Sequence, residues 1–278
     1  MLSYRHAFHA GNYADVLKHA VQAFVIDYLK QKPKPFVIHD THAGAGCYAL
    51  TDAKAEKTGE YRDGIAKVLA AGEAPKALKP YLEVIQALNP GELKVYPGSP
   101  WLSRQLMDGN QRLQLTELHP ADHKLLCELF KGDRQVRIDK ADAFETLIAK
   151  LPPRERRGLV VMDPPYEVKD DYQQVVKAIK QAHKRFATGT YLIWYPVVER
   201  ARTQAMLGGL KDSGIRNQLV MEHGIRPDAP GMGMTAAGVV VINPPWTLKA
   251  AFDEALPWLN QVLSPGSGFT RCEWLVEE

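Results

Sequence analysis

From residue 113 onward the chain alternates short apolar runs with longer amphipathic stretches. Leu113-Gln114-Leu115-Thr116-Glu117 is followed by helix-forming sequence at 120–130. Then come an expected strand at 135–138, a helix at 142–150, a strand at 159–163, a helix at 171–186, a strand at 190–195 and a helix at 199–213. Strand–helix alternation of this kind requires crossover connections, and crossovers place strands parallel in a doubly wound sheet. The run Gly158-Leu159-Val160-Val161-Met162 has no polar face, as expected of a strand covered on both sides. Two strands adjacent in sequence, 217–222 and 238–242, cannot both follow that rule and are expected to close the sheet as an antiparallel hairpin. Between them, 224–235 carries three glycines and two prolines and reads as a mobile loop.

The amino-terminal half fits the same scheme with one interruption. Asn12 is placed to cap a helix whose apolar positions Val16, Leu17, Ala20, Val21, Phe24, Val25 and Tyr28 recur at helical spacing. Lys32-Pro33-Lys34-Pro35 ends it, and Phe36-Val37-Ile38-His39-Asp40 reads as the first strand. The next strand begins only at Leu113, far beyond what a βαβ unit needs. Helices expected at about 61–71 and 75–88 make 50–93 an inserted helical subdomain. It divides a domain formed by 1–49 and 94–278. The expected fold is therefore α/β, with a seven-stranded, mostly parallel sheet, a C-terminal antiparallel hairpin and a small helical insertion.

Ligands of such sheets bind beyond the carboxyl ends of the strands. Four segments fall there. Asp40-Thr41-His42-Ala43-Gly44-Ala45-Gly46 brings glycines to a strand-to-helix turn, where a ligand can approach the backbone closely; alone, this short pattern is as often an ordinary tight turn. Glu117 ends the second strand with an acid, suited to a ribose diol. Asp142 can accept from an adenine amine while the following Ala143 N–H donates to a ring nitrogen, and Asp142 can equally serve as a helix cap. Asp163-Pro164-Pro165-Tyr166 forms a stiff ledge rich in acceptors, because proline carries no N–H, with an aromatic face beside it. It suits a planar ring bearing an exocyclic amine.

Asn243-Pro244-Pro245-Trp246 follows the strand 238–242 and nearly repeats that ledge. Topology separates the two. In a terminal hairpin the last strand runs antiparallel, so its carboxyl end lies on the far edge of the sheet. Asp163 is accordingly expected to be catalytic and Asn243 structural. Lys18 and His19, on the first helix, are candidates for ligand contact. His119 and His123 stand four apart, but no HExxH or cysteine partner accompanies them, so no metal site is expected. Cationic clusters at Arg154, Arg156, Arg157 and at Lys177, Lys180, Lys184, Arg185 are either solvated faces or a phosphate track.

The net charge of +3 permits an anionic partner without requiring one. Cys47, Cys127 and Cys272 are scattered, which argues against a disulfide framework. No apolar run approaches a membrane span, and the first residues lack the apolar core of a signal peptide. A cytoplasmic protein is expected.

Taken together, Ser3-Tyr4-Arg5-His6, His9-Ala10-Gly11-Asn12, Asp15, Lys18-His19, Asp40 to Gly46, Tyr96-Pro97-Gly98-Ser99-Pro100, Thr116-Glu117-Leu118-His119-Pro120, Asp163 to Tyr166, Arg185-Phe186-Ala187-Thr188-Gly189-Thr190-Tyr191 and Asn243-Pro244-Pro245-Trp246 resemble the RlmJ family. The resemblance runs essentially end to end. Members are bacterial 23S rRNA adenine-N6 methyltransferases. It implies a Rossmann-like class I methyltransferase fold, S-adenosyl-L-methionine as cofactor, and 23S rRNA as partner, with one adenine (position 2030 in the family) as target. It implies cofactor contacts by His19, His42, Ser99, Glu117, Asp142, Ala143 and Asp163. Asp163, with the Pro164 carbonyl and Tyr166, would carry the chemistry. Tyr4, His6, Lys18 and Tyr166 would meet the substrate, and a monomer is expected. The rival readings are a DNA adenine-N6 methyltransferase, disfavoured because no separate target-recognition domain is evident, and a non-catalytic RNA-binding module on the same scaffold, disfavoured by the intact Asp163 and glycine turn.

Overall fold

The computed structural model describes residues 6–168, 170–229 and 231–278, with the backbone alone at 53, 54 and 56. Its strands are β1 (Val37–Asp40), β2 (Cys47–Ala49), β3 (Val95–Pro97), β4 (Arg112–Thr116), β5 (Val136–Asp139), β6 (Gly158–Met162), β7 (Thr190–Val197), β8 (Gln218–Gly224), β9 (Ala236–Ile242) and β10 (Phe269–Val276). Eight of them form one sheet in the order β10-β8-β9-β7-β6-β1-β4-β5. The pairs β5/β4, β4/β1, β1/β6 and β6/β7 are parallel. Strand β9 lies between β7 and β8 and is antiparallel to both. This is the expected Rossmann-like class I methyltransferase fold with its terminal hairpin. β1, β6, β8 and β9 are buried along their whole length, as strands covered on both faces must be.

The sheet has one strand more than the seven expected. β10 pairs antiparallel with β8 at the edge. Phe269–Val276 gives neither a clean alternation nor an apolar run, because almost every residue in it is half-buried. An edge strand of this kind carries no periodic pattern to read.

The helices are α1 (Tyr13–Lys30), α2 (Ala53–Thr58), α3 (Glu60–Asp63), α4 (Ile65–Ala70), α5 (Lys79–Leu88), α6 (Ser99–Leu106), α7 (Pro120–Leu129), α8 (Ala143–Lys150), α9 (Asp171–Arg185), α10 (Arg200–Lys211) and α11 (Leu248–Leu263). α1 starts where expected: the Asn12 side chain accepts from Ala14 N and Asp15 N, each at 3.0 Å. Fourteen of its 18 residues are buried, so this helix is enclosed rather than amphipathic. Leu17, Val21 and Ile26 are fully buried, each contributing about 1.5–3 kcal/mol of apolar burial.

The helix expected at 61–71 is broken at Gly64. A Cβ there would lie 2.0 Å from the Gly11 carbonyl oxygen, and that carbonyl accepts from Ile65 N at 2.9 Å. Close passage of two backbones, which only glycine permits, overrides helical propensity. The ends of segment 50–93 are held side by side: β2 pairs antiparallel with β3, and Gly98 N donates to Gly46 O at 3.0 Å. Ile65, Val68, Leu78, Tyr81 and Ile85 of this segment share one hydrophobic cluster with Leu17 and Val21 of α1 and Phe252 and Leu256 of α11. Between β8 and β9, Asp228 accepts from Arg200 Nε and Thr235 Oγ1, both at 2.6 Å. No helix of the described residues is long and apolar enough to cross a membrane.

Candidate active site

The carboxyl ends of β1, β4, β5 and β6 open into a cavity of about 430 Å3. His6, Lys18, His19, His42, Ser99, Glu117, Asp142, Ala143, Asp163, Pro164 and Tyr166 all line it. The structure thus brings together every candidate site residue named from sequence except Tyr4, which lies outside the described residues.

One wall is the start of a polar stripe on α1, of which Asp15, Lys18 and His19 line the cavity. Asp15, Lys18, His19 and Gln22 fall at i, i+3, i+4 and i+7, one face of a helix, and all four are buried. Lys18 Nζ contacts Asp163 Oδ2 at 2.6 Å and Asp15 Oδ1 at 3.0 Å. The other Asp15 oxygen takes His6 Nε2 at 2.8 Å and Gly11 N at 2.9 Å. Burial opposes ionisation of Asp15, but His6, Lys18 and their neighbours outweigh it and hold the carboxyl well below its ordinary range. The sequence pattern contains Asp15 without pointing to a role for it. Its spacing from Lys18 and His19 within an apolar helix is the signal that finds it.

The opposite wall has the makings of a nucleoside site. Glu117 accepts from Gly44 N at 2.7 Å through one oxygen and from His119 N at 2.6 Å through the other. The carboxylate is thereby fixed in orientation and keeps lone pairs for a diol. Burial raises its pKa, against the two backbone donors. Gly44 has φ +62°, and a Cβ on it would meet the Tyr48 hydroxyl at 2.4 Å. Asp142 does cap α8, accepting through Oδ1 from Phe144 N at 2.8 Å and Glu145 N at 3.3 Å. Its second oxygen makes no hydrogen bond among the described residues, so the capping and ligand roles are compatible.

Several buried polar atoms around the site lack a hydrogen bond among the described residues, those of His19 and Asp40 among them. His19 Nδ1 pairs with the Tyr96 hydroxyl at 2.7 Å, and that hydroxyl meets Tyr81 at 3.0 Å. His19 Nε2 is buried with no hydrogen bond among the described residues. Burial holds the imidazole neutral, its pKa well below the usual value. Both oxygens of Asp40 are likewise unmatched. Burial pushes the Asp40 carboxyl up to about 7, with the nearby Ser99 hydroxyl and Lys18 opposing and Asp163 reinforcing. An orphaned imidazole nitrogen in the same cavity as an oriented carboxylate and a glycine turn fits S-adenosyl-L-methionine. Glu117 would hold its ribose, Asp142 and Ala143 its adenine, and His19, His42 and Ser99 its remaining polar groups.

The ledge itself follows β6. Tyr166 adopts φ +51°, a region in which a bulky side chain is strained. Its hydroxyl donates to the Trp194 carbonyl at 2.6 Å, and its ring lies 4.6 Å from Tyr172 and 6.0 Å from Trp194. The ring is a fixed wall. Trp194 was not singled out from the sequence. It sits on β7, next to β6, and Lys18 Nζ stands 5.7 Å from its ring. An aromatic near the end of the neighbouring strand is the cue that points to it.

The near-copy of the ledge is on the far edge. Antiparallel pairing sets Ile242 of β9 against Tyr191, at the amino end of β7. Asn243 Nδ2 donates to the carbonyls of Ala187 and Gly189, both at 2.8 Å, so its amide fastens the turn before β7.

A family model described as "Ribosomal RNA large subunit methyltransferase D, RlmJ" matches residues 33–276. The chain is 51% identical over 280 residues to Ribosomal RNA large subunit methyltransferase J of Escherichia coli (strain K12), covering 100% of both. It is 49% identical over 281 residues to the protein of the same name in Haemophilus influenzae, again covering 100% of both. A crystal structure of a protein from Legionella pneumophila superposes with a TM-score of 0.89 at 36% identity, covering 96% of this chain and 98% of that one. With a match over most of its length and relatives aligned end to end, the chain belongs to the RlmJ family.

Proposed function

We propose that this protein transfers a methyl group from S-adenosyl-L-methionine to the N6 amine of one adenine, position 2030 in the family, in 23S rRNA. The observation that carries the chemistry is the placement of Asp163 at the carboxyl end of β6, in the same cavity as Glu117 and Asp142. The large-subunit rRNA target rests on the relatives named above. In this reading residues 1–49 and 94–278 form the Rossmann-like domain and 50–93 an inserted helical subdomain packed onto it. The protein acts as a monomer in the cytoplasm.

The cofactor supplies an electrophilic methyl on sulfonium. The adenine amine is a poor nucleophile because its lone pair is delocalised into the ring. Asp163 and the Pro164 carbonyl each accept one of its N–H bonds, which favours the pyramidal nitrogen of the transition state. The Tyr166 ring stacks on the base, which must leave its own helical stack to reach the ledge. Asp163 then takes the proton that the nitrogen loses. His6 and Lys18 bound the substrate side, and Lys18 keeps Asp163 in place through their shared contact. The polar interior and Tyr166 hold the reactants in line, so positioning supplies much of the rate.

Incubation with methyl-labelled S-adenosyl-L-methionine and either 23S rRNA or duplex DNA tests the proposal. Label in rRNA as N6-methyladenosine, and none in DNA, is expected. Label in DNA alone would replace the proposal with the DNA enzyme, and label in neither would leave a binding module.

A further inference from the structure

Two features of the sequence play no part in the site above: the cations around Arg154 and the near-copy ledge ending in Trp246. The fold places them on the same edge of the sheet. The segment after α1, the turn before β6 and the turn before β7 enclose a second cleft, opposite the catalytic one. It is lined by Lys32, Lys34, Arg154 and Arg156.

Its charge is not cancelled locally. Glu155, the acid within it, is gripped by Arg112 through two hydrogen bonds at 2.6 and 2.8 Å. Arg157 is also spent, on the carbonyls of Lys34 and Leu29. Lys32, Lys34 and Arg156 are exposed and form no ion pair among the described residues, and Arg154, at 3.2 Å from Glu155, is itself 77% exposed. Thr188 of the same cleft sits in the turn whose carbonyls, at Ala187 and Gly189, bind Asn243. Three residues further on, Trp246 is 82% exposed, whereas the other tryptophans are half-buried. Favourable charge at helix C-termini explains Lys184 and Arg185 at the end of α9. It gives no reason to leave an indole in water.

We propose that this edge is a second RNA-contact surface, in which Lys32, Lys34, Arg154 and Arg156 track backbone phosphates and Trp246 stacks on an unpaired base. Cationic grooves beside an exposed aromatic bind single-stranded and looped RNA in this way. The inference rests on the rRNA reading above and extends it. The five residues of β6 set the cleft about 17 Å from Asp163, so the target nucleotide cannot reach both. The second contact is then assigned to another part of a large folded RNA.

The test compares wild type with Lys32→Glu/Lys34→Glu and with Trp246→Ala, on protein-free 23S rRNA and on a short stem-loop carrying only the target adenine. Equilibrium binding and methylation are both measured. For 23S rRNA the charge variant should raise Kd and KM about 10-fold or more and flatten the log–log salt slope by about 2, with kcat unchanged. Trp246→Ala should weaken binding of the same RNA about 5- to 100-fold. Kinetics on the stem-loop should match wild type. Wild-type affinity and salt slope for 23S rRNA in both variants would overturn the inference, as would equal losses on the two RNAs. Failure of the rRNA reading itself would show separately, as absence of methylation by the wild-type protein.

Discussion

Lys18 Nζ lies 2.6 Å from Asp163 Oδ2, joining the first helix to the end of the fourth parallel strand across 145 residues of sequence. The same ammonium lies 3.0 Å from Asp15, so one buried cation serves two carboxylates. Truncating one member of such a cluster leaves an uncompensated charge in the interior. Lys18→Met should cost about 3–5 kcal/mol in urea unfolding. In an Asp15→Asn background the same change should cost at least about 1 kcal/mol less. Additive losses would show that the two groups are not coupled.

Glu117 accepts a backbone N–H through each of its oxygens. Glu117→Gln replaces one acceptor with a donor, which must face an N–H, and removes the charge that would bind a diol. The Kd for S-adenosyl-L-methionine should rise about 10- to 100-fold by calorimetry. An unchanged Kd would place the ribose elsewhere.

Burial lifts the Asp40 carboxyl from 3.8 to about 7. The folded protein therefore holds this proton where the unfolded chain has released it. The stabilisation is complete below about pH 4 and is lost as pH rises through 7. Asp40→Asn cannot ionise. The stability of wild type relative to this variant should therefore fall between pH 4 and 8, by up to about 4 kcal/mol. Urea unfolding at a series of pH values measures it, and a pH-independent difference would contradict the assignment.

The parallel core was legible because β6 is an apolar run and the helices between strands are periodic. The hairpin could be inferred from two strands without a crossover, and that inference separated Asp163 from Asn243. Other features left weaker traces. Phe269–Val276 is half-buried throughout and so has no pattern to detect. The break at Gly64 depends on the approach of Gly11, 53 positions earlier in the chain, which no local window contains. Trp194 faces the cavity only because β7 lies beside β6. Asp15, by contrast, was visible as a polar residue spaced with Lys18 and His19 on a helix that is otherwise buried.

Asp163 as the residue that receives the adenine amine is the central claim. Methyl transfer to 23S rRNA by Asp163→Ala and Asn243→Ala, each checked for intact folding by its thermal transition, tests it most directly. Asp163→Ala should lose at least about 100-fold in kcat with the fold retained. Asn243→Ala should lose stability through the freed turn before β7 while keeping its turnover below the melting range. Near-normal turnover by Asp163→Ala, or a folded Asn243→Ala protein without activity, would contradict the account.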